Sequence, residues 1–127
     1  MSVIVTDAGF GPDTHSPDPR SGEAVTMPSD TAPEALDAAL GAEMVVIDFP
    51  SSADGRGFTL ARLLRLRGYR GRLRARGHVI ADQYAMARRA GFDEVEIDDA
   101  LAARQPEDQW RLRADWQAHD YQARLRG

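Results

Sequence analysis

The stretch from Asp48 to Gln83 reads DFPSSADGRGFTLARLLRLRGYRGRLRARGHVIADQ. It begins at the end of an apolar run, Met44 to Phe49, which is unbroken in the manner of a parallel strand covered on both faces. After a glycine loop, Phe58, Leu60, Ala61, Leu63 and Leu64 alternate with Arg62 and Arg65, which is helix period with a narrow polar stripe. Gly68-Tyr69 stops that helix, as a C′ glycine followed by an apolar residue does, and Arg72 to Arg76 reads as a strand. The order then recurs. Ile80, Tyr84, Ala87 and Gly91 share one face of a second helix, which stops at Gly91-Phe92 before a strand from Glu94 to Asp98. Two successive helix, Gly-aromatic, strand units specify βα units and a parallel sheet.

The two strands carry opposite charges in alternation. Arg72, Arg74 and Arg76 share one face with Leu73 and Ala75 opposite; Glu94, Glu96 and Asp98 share one face with Val95 and Ile97 opposite. If the strands are neighbours, an arginine row lies beside an acidic row, each pair contributing about 0.2–1 kcal/mol. Helices on the apolar face would leave the charged face open. The expected fold is therefore α/β, successive βα units with a mainly parallel sheet and helices mainly on one face, half-barrel-like or two-layer. A three-layer flavodoxin-like sheet is the alternative. An open charged face also leads us to expect a homodimer.

On the N-terminal side, Ser2 to Asp7 reads as a short strand, Gly9 to Gly22 as a Gly/Pro/Asp-rich loop holding a solvated His15, and Glu23 to Met27 as another short strand. The expected organisation is residues 1–28 as an N-terminal strand and flexible loop and 29–127 as a single α/β domain. A helix capped by Asp30 or Thr31, with Pro33 in its first turn, is expected to run to Gly41. Pro106 to Arg126 is a further candidate helix, with Trp110 and Tyr121 closing the core or a dimer contact and His119 solvated.

Composition narrows the chemistry. The 127 residues suffice for one real core, and no apolar run approaches the ~20 residues that span a bilayer. The first residues show no basic and apolar signal-peptide pattern, so cytoplasmic is the expected location. The absence of Cys excludes disulfides, thiol redox chemistry and cysteine-held clusters. All sixteen basic residues are Arg, which excludes a Schiff-base or Walker-type lysine and leaves planar guanidinium forks for carboxylate, sulfate or phosphate. Ten of these arginines lie between Asp54 and Arg89 against two acids, a local charge of +8, while the rest of the chain carries six Arg and eighteen acids.

The loop Asp54-Gly55-Arg56-Gly57 lies between a strand end and a helix start, where ligands of parallel sheets gather. Bare backbone and free N–H groups there favour an anion. Arg76-Gly77-His78 reaches the same rim, so the candidate anion site is Gly55, Arg56, Gly57, Arg74 and Arg76, supported by Asp54, Asp82 and Gln83. Asp54-Gly55 as a plain turn, with Arg56 paired to Asp48 or Asp54, is the competing account. Asp82 reads as a first-turn helix acid. The acid/base candidates are Asp48, which alternatively orients Arg56, and His78. No His, Cys or Glu spacing suits a metal.

These residues fall into ordered motifs: D-F-P-x3-D-G-R-G-F, L-A-R-L-L-R, G-x-L-R-A-x-G, D-Q and R-R-x-G-F-D. Together they resemble the bacterial family known as domain of unknown function 934, over about Asp30 to Gln122, with Tyr121-Gln122 similar to the family's C-terminal end. What the resemblance implies is modest, since the family is uncharacterised. Members are often labelled an oxidoreductase involved in sulfite reduction, a label resting on genes that neighbour those of sulfate and sulfite assimilation. This chain departs from the pattern: Ser51 and Ser52 stand for a Lys and an aromatic, Ala90 for a frequent Cys, and His78 for an acid. Chemistry needing that Cys or Lys cannot occur here.

The favoured expectation is an accessory protein of sulfite or sulfate assimilation, acting through an oxyanion-binding loop or by docking sulfite reductase or another enzyme of that assimilation. The alternative is a small oxidoreductase binding a phosphate-bearing cofactor; no cofactor is evident, and a flavin phosphate on the helix start is the one left open. The third is a nucleic-acid module, disfavoured by an acidic chain of pI ≈ 5.3 and few aromatics among the arginines. No membrane partner is expected.

Overall fold

The computed structural model describes residues 2–12, 24–51, 55–112 and 114. Strands β1 (Ser2–Thr6), β2 (Gly9–Gly11), β3 (Ala24–Pro28), β4 (Met44–Phe49), β5 (Arg72–Gly77) and β6 (Glu94–Asp98) form one sheet in the order β2-β1-β6-β5-β4-β3. β3 to β6 are parallel and lie side by side in chain order, while β1 runs antiparallel to β6 and β2 antiparallel to β1. Helix α1 (Arg56–Leu66) joins β4 to β5, and α2 (Tyr84–Ala90), entered through a 3-10 turn at Ala81–Gln83, joins β5 to β6. Two short helices follow, α3 (Asp99–Arg104) and α4 (Glu107–Arg111). No helix among the described residues is long and apolar enough to cross a membrane.

Because neighbouring parallel strands are consecutive, each right-handed crossover steps the same way and sets its helix on the same face. Burial agrees. Val45, Ile47, Leu73, Ala75, Val95 and Ile97 join Leu60, Leu64, Tyr84 and Ala87 in one core cluster. The three-layer alternative needs a reversal of strand order, which β3 to β6 do not have. Both helix endings use the same device. Gly68 (φ +96°) lets Tyr69 N donate to Leu64 O at 2.9 Å, and Gly91 (φ +118°) lets Phe92 N donate to Ala87 O at 3.0 Å.

Several expectations are corrected. Gly9 to Gly11 is a strand rather than loop, because Gly9 at φ +107° turns the chain back along β1 and Glu107 Oε2 accepts from Phe10 N at 2.9 Å. Residues 2–11 and 24–28 thus supply three strands of the same sheet. The helix expected to start from an Asp30 or Thr31 cap and stop at Gly41 is a 3-10 helix, Pro33–Ala39, with Ala32 at its N-cap; Thr31 Oγ1 instead donates to Pro28 O at 2.6 Å. α3 was not expected. Of the helix predicted from Pro106 to Arg126, only α4 and its immediate end are described. Trp110 does close the core, 1 % exposed, edge-on to Tyr84 and donating to Gln105 O at 2.8 Å. His15, Asp54, Trp116, His119 and Tyr121 lie outside the described residues.

The strands are neighbours and the charged ladder forms. The register sets Arg74 opposite Glu94 and Arg76 opposite Glu96. Glu94 accepts from both Arg72 and Arg74, and Glu96 from Arg74 at 2.9 Å. Arg76 turns the other way, to Asp48 on β4, and Asp98 leaves the ladder to cap α3, accepting from Leu101 N at 2.7 Å. Nor is this face open at its centre: Arg74 is 2 % and Glu94 3 % exposed, beside buried Met44 and Val46. Charges so buried persist because each has an opposite partner within hydrogen-bond reach.

Candidate functional site

The parallel strands deliver Asp48, Arg76 and Asp98 to one rim, at their C-terminal ends. Register places Asp48 beside Arg76 and Phe49 beside Gly77. The guanidinium of Arg76 grips Asp48 in a two-pronged fork, Nε to Oδ1 at 2.7 Å and Nη2 to Oδ2 at 2.9 Å. That hydrogen bond outweighs desolvation and holds the Arg76 pKa above its ordinary value. Asp48 therefore orients Arg76, not Arg56. Next in the chain, Gly77 has φ +111°, and a Cβ there would lie 2.5 Å from Phe49 O. Only glycine fits, and the turn lets His78 N donate to the same oxygen at 3.0 Å. His78 is thereby pinned at the rim with its side chain exposed.

Arg76, Gly77, His78, Glu96, Ile97, Asp98, Leu101 and Arg104 line a cleft of about 210 Å³. A second lobe of about 280 Å³ shares His78, Leu101 and Arg104 and adds Ile80 and Gln105. The carboxylates of the cleft are engaged, Glu96 by Arg74 and Asp98 by the α3 backbone. Among the described residues, the side chains of Arg104 and His78 form no hydrogen bond or ion pair. Arg76 uses two of its five N–H donors on Asp48. The cleft thus offers the guanidiniums of Arg76 and Arg104 and the His78 imidazole beside Ile97 and Leu101.

The other predicted residues are dispersed. Arg56 opens α1, exposed, and lines a separate cleft of about 240 Å³ with Ser29, Asp30, Thr31, Pro33, Thr59 and Leu60. Gly57 is buried, and a Cβ on it would run into the Phe49 ring, so its smallness serves packing. Gly55 is exposed with open space where a Cβ would project. Arg74 is sequestered in its pairs with Glu94 and Glu96, its side chain 3 % exposed. Gln83 accepts from Ile80 N at 3.0 Å and closes the turn before α2, while Asp82 is exposed beside it. The sequence reading missed Arg104 and Leu101. The available signal was Asp98-Asp99 ahead of Ala100-Leu101-Ala102-Ala103, an acidic cap before helix formers.

No curated protein and no solved structure matches the chain. A family model does, over residues 24–127, which takes in β3 to β6, all four helices and both clefts. The chain belongs to the family described as "Bacterial protein of unknown function (DUF934)".

Proposed function

We propose that this protein binds a small oxyanion at the C-terminal rim of its parallel strands and serves as an accessory protein in assimilatory sulfite or sulfate reduction. The observation that carries the binding reading is the convergence of Arg76, His78 and Arg104 on one cleft, Arg76 held in place by Asp48 and the side chains of the other two without a partner among the described residues. An oxyanion entering there meets the Arg76 donors already positioned by Asp48, and a hydrogen bond to a charged group is worth about 1.5–3 kcal/mol. The link to sulfur assimilation follows the label borne by the family that the sequence motifs resemble.

Calorimetric titration with sulfite, sulfate and phosphate tests the binding. The parent should bind at least one of them, and Arg104→Ala should weaken that binding about tenfold. Arg104 is exposed on the last turn of α3, so the melting temperature should hold. A parent that binds none of the three, or an Arg104→Ala variant that binds like the parent, overturns the reading. Co-purification with sulfite reductase, weakened by the same ligands or by Arg104→Ala, tests the accessory role.

A further inference from the structure

Resting on that reading, we infer that the cleft takes an oxyanion carried on an apolar organic body, an organic phosphate or sulfate ester or a sulfonate, rather than the bare inorganic ion. Three features converge. The first is size. A free sulfate fills roughly the space of two or three waters at ~30 Å³ each, well short of the two lobes of about 210 and 280 Å³. The second is the distribution of charge. Glu96 and Asp98 line only the first lobe, where they repel a bare anion, while Arg104 and His78 line both lobes. The charged group is therefore best held where the lobes meet.

The third is the character of the second lobe. Its walls are Ile80 and Leu101 with the Gln105 amide, and it has no carboxylate. Gln105 Oε1 accepts from Ala81 N at 3.0 Å, which fixes the amide and leaves its NH2 as a neutral donor. A lobe that adds Ile80 and one neutral amide to the shared Leu101, His78 and Arg104, and holds no carboxylate, is suited to the body of an organic ligand, and the Arg104 side of the junction to its anionic end.

Inorganic phosphate, phenyl phosphate and phenol serve as probes in calorimetric titration of the full chain. Phenyl phosphate should bind at least about tenfold tighter than phosphate, because the ring removes apolar surface from water in the Ile80–Leu101 lobe. Phenol, lacking the anion, should bind far more weakly than phenyl phosphate. Ile80→Ala should reduce the affinity for phenyl phosphate and leave that for phosphate unchanged, whereas Arg104→Ala should reduce both. Equal affinities for phosphate and phenyl phosphate in the parent sink the inference and leave the oxyanion reading standing. Phenol binding as tightly as phenyl phosphate, or no binding of any probe, removes both. The comparison of probes on the parent decides the matter even if Ile80→Ala fails to fold.

Discussion

The two ends of the parallel sheet use the same residue type in opposite ways. At the N-terminal end, Arg65 donates to Gly91 O, Tyr69 O and Gly71 O at 2.9–3.0 Å and to Asp93 at 3.0 Å, and it also lies over the Tyr69 ring. Asp93 in turn accepts from Leu73 N at 2.9 Å, and Arg88 ties Phe92 O to Asp7. These guanidiniums satisfy carbonyls that the Gly-aromatic turns leave over, so their charge is absorbed into the backbone. At the C-terminal end, Arg76 is only half engaged and Arg104 has no internal partner among the described residues. Arginine count therefore says little about where a ligand binds. The number of donors left over after folding says more.

The sharpest break of this contrast is Arg65. Removing it leaves three partly buried carbonyls without their guanidinium donor and Asp93 without its ion-pair partner at 3.0 Å, so Arg65→Ala should cost about 2–4 kcal/mol in chemical denaturation. Arg65→Lys should restore little, since an ammonium cannot reproduce a planar fork that reaches three carbonyls on two turns. A loss below about 0.5 kcal/mol for Arg65→Ala would mean that the N-terminal end is no more a structural staple than the opposite rim.

Much of the fold was legible because it rests on local signals. The two Gly-aromatic stops are set by a positive φ that only glycine adopts cheaply, and the alternation in Arg72 to Arg76 and Glu94 to Asp98 fixes which face packs against the helices. The candidate site was legible only in part. Arg76 was placed on the correct rim, but its partner Asp48 is 28 residues away in sequence and becomes a neighbour through strand register alone. Arg74 and Arg76 look alike in sequence, yet one is enclosed by two carboxylates and the other reaches the cleft. Gly57 suggested close approach of a ligand, and the close approach is that of Phe49. Arg104 was missed because α3 is too short to show a period.

Alkali sharpens the same comparison, because the strongly shifted phenols belong to the N-terminal end. Burial pushes the Tyr69 pKa up to about 12, partly opposed by the charge of Arg65. Burial, with the hydrogen bond to Asp7, raises that of Tyr84 as well. The unfolded chain loses the Tyr69 proton near its ordinary pKa of 10.0, before the folded protein does. This contribution to stability is therefore complete below pH 10 and lost as pH rises through about 12. Urea midpoints measured from pH 9 to 12 should fall with pH, and Tyr69→Phe should flatten the fall. An unchanged slope in Tyr69→Phe would show that alkali acts elsewhere in the molecule.

The smallest expected effect is the most discriminating for the C-terminal rim. Gly55 caps α1 at φ −88°, ψ −1°, a conformation open to alanine, and a Cβ there meets nothing within 4 Å. Gly55→Ala should thus leave stability unchanged or raise it by up to about 1 kcal/mol, through the lost freedom of the unfolded chain. Gly57→Ala, which drives a methyl into the Phe49 ring, is the destabilised control. If the oxyanion sits among Arg76, His78 and Arg104, Gly55→Ala should bind phosphate as the parent does. A clear loss of affinity at full stability would instead mean that the ligand needs bare backbone beside Arg56. The site would then belong to the cleft of Ser29, Thr31 and Arg56, and the donors left over beside β5 and β6 would be a feature of the surface alone.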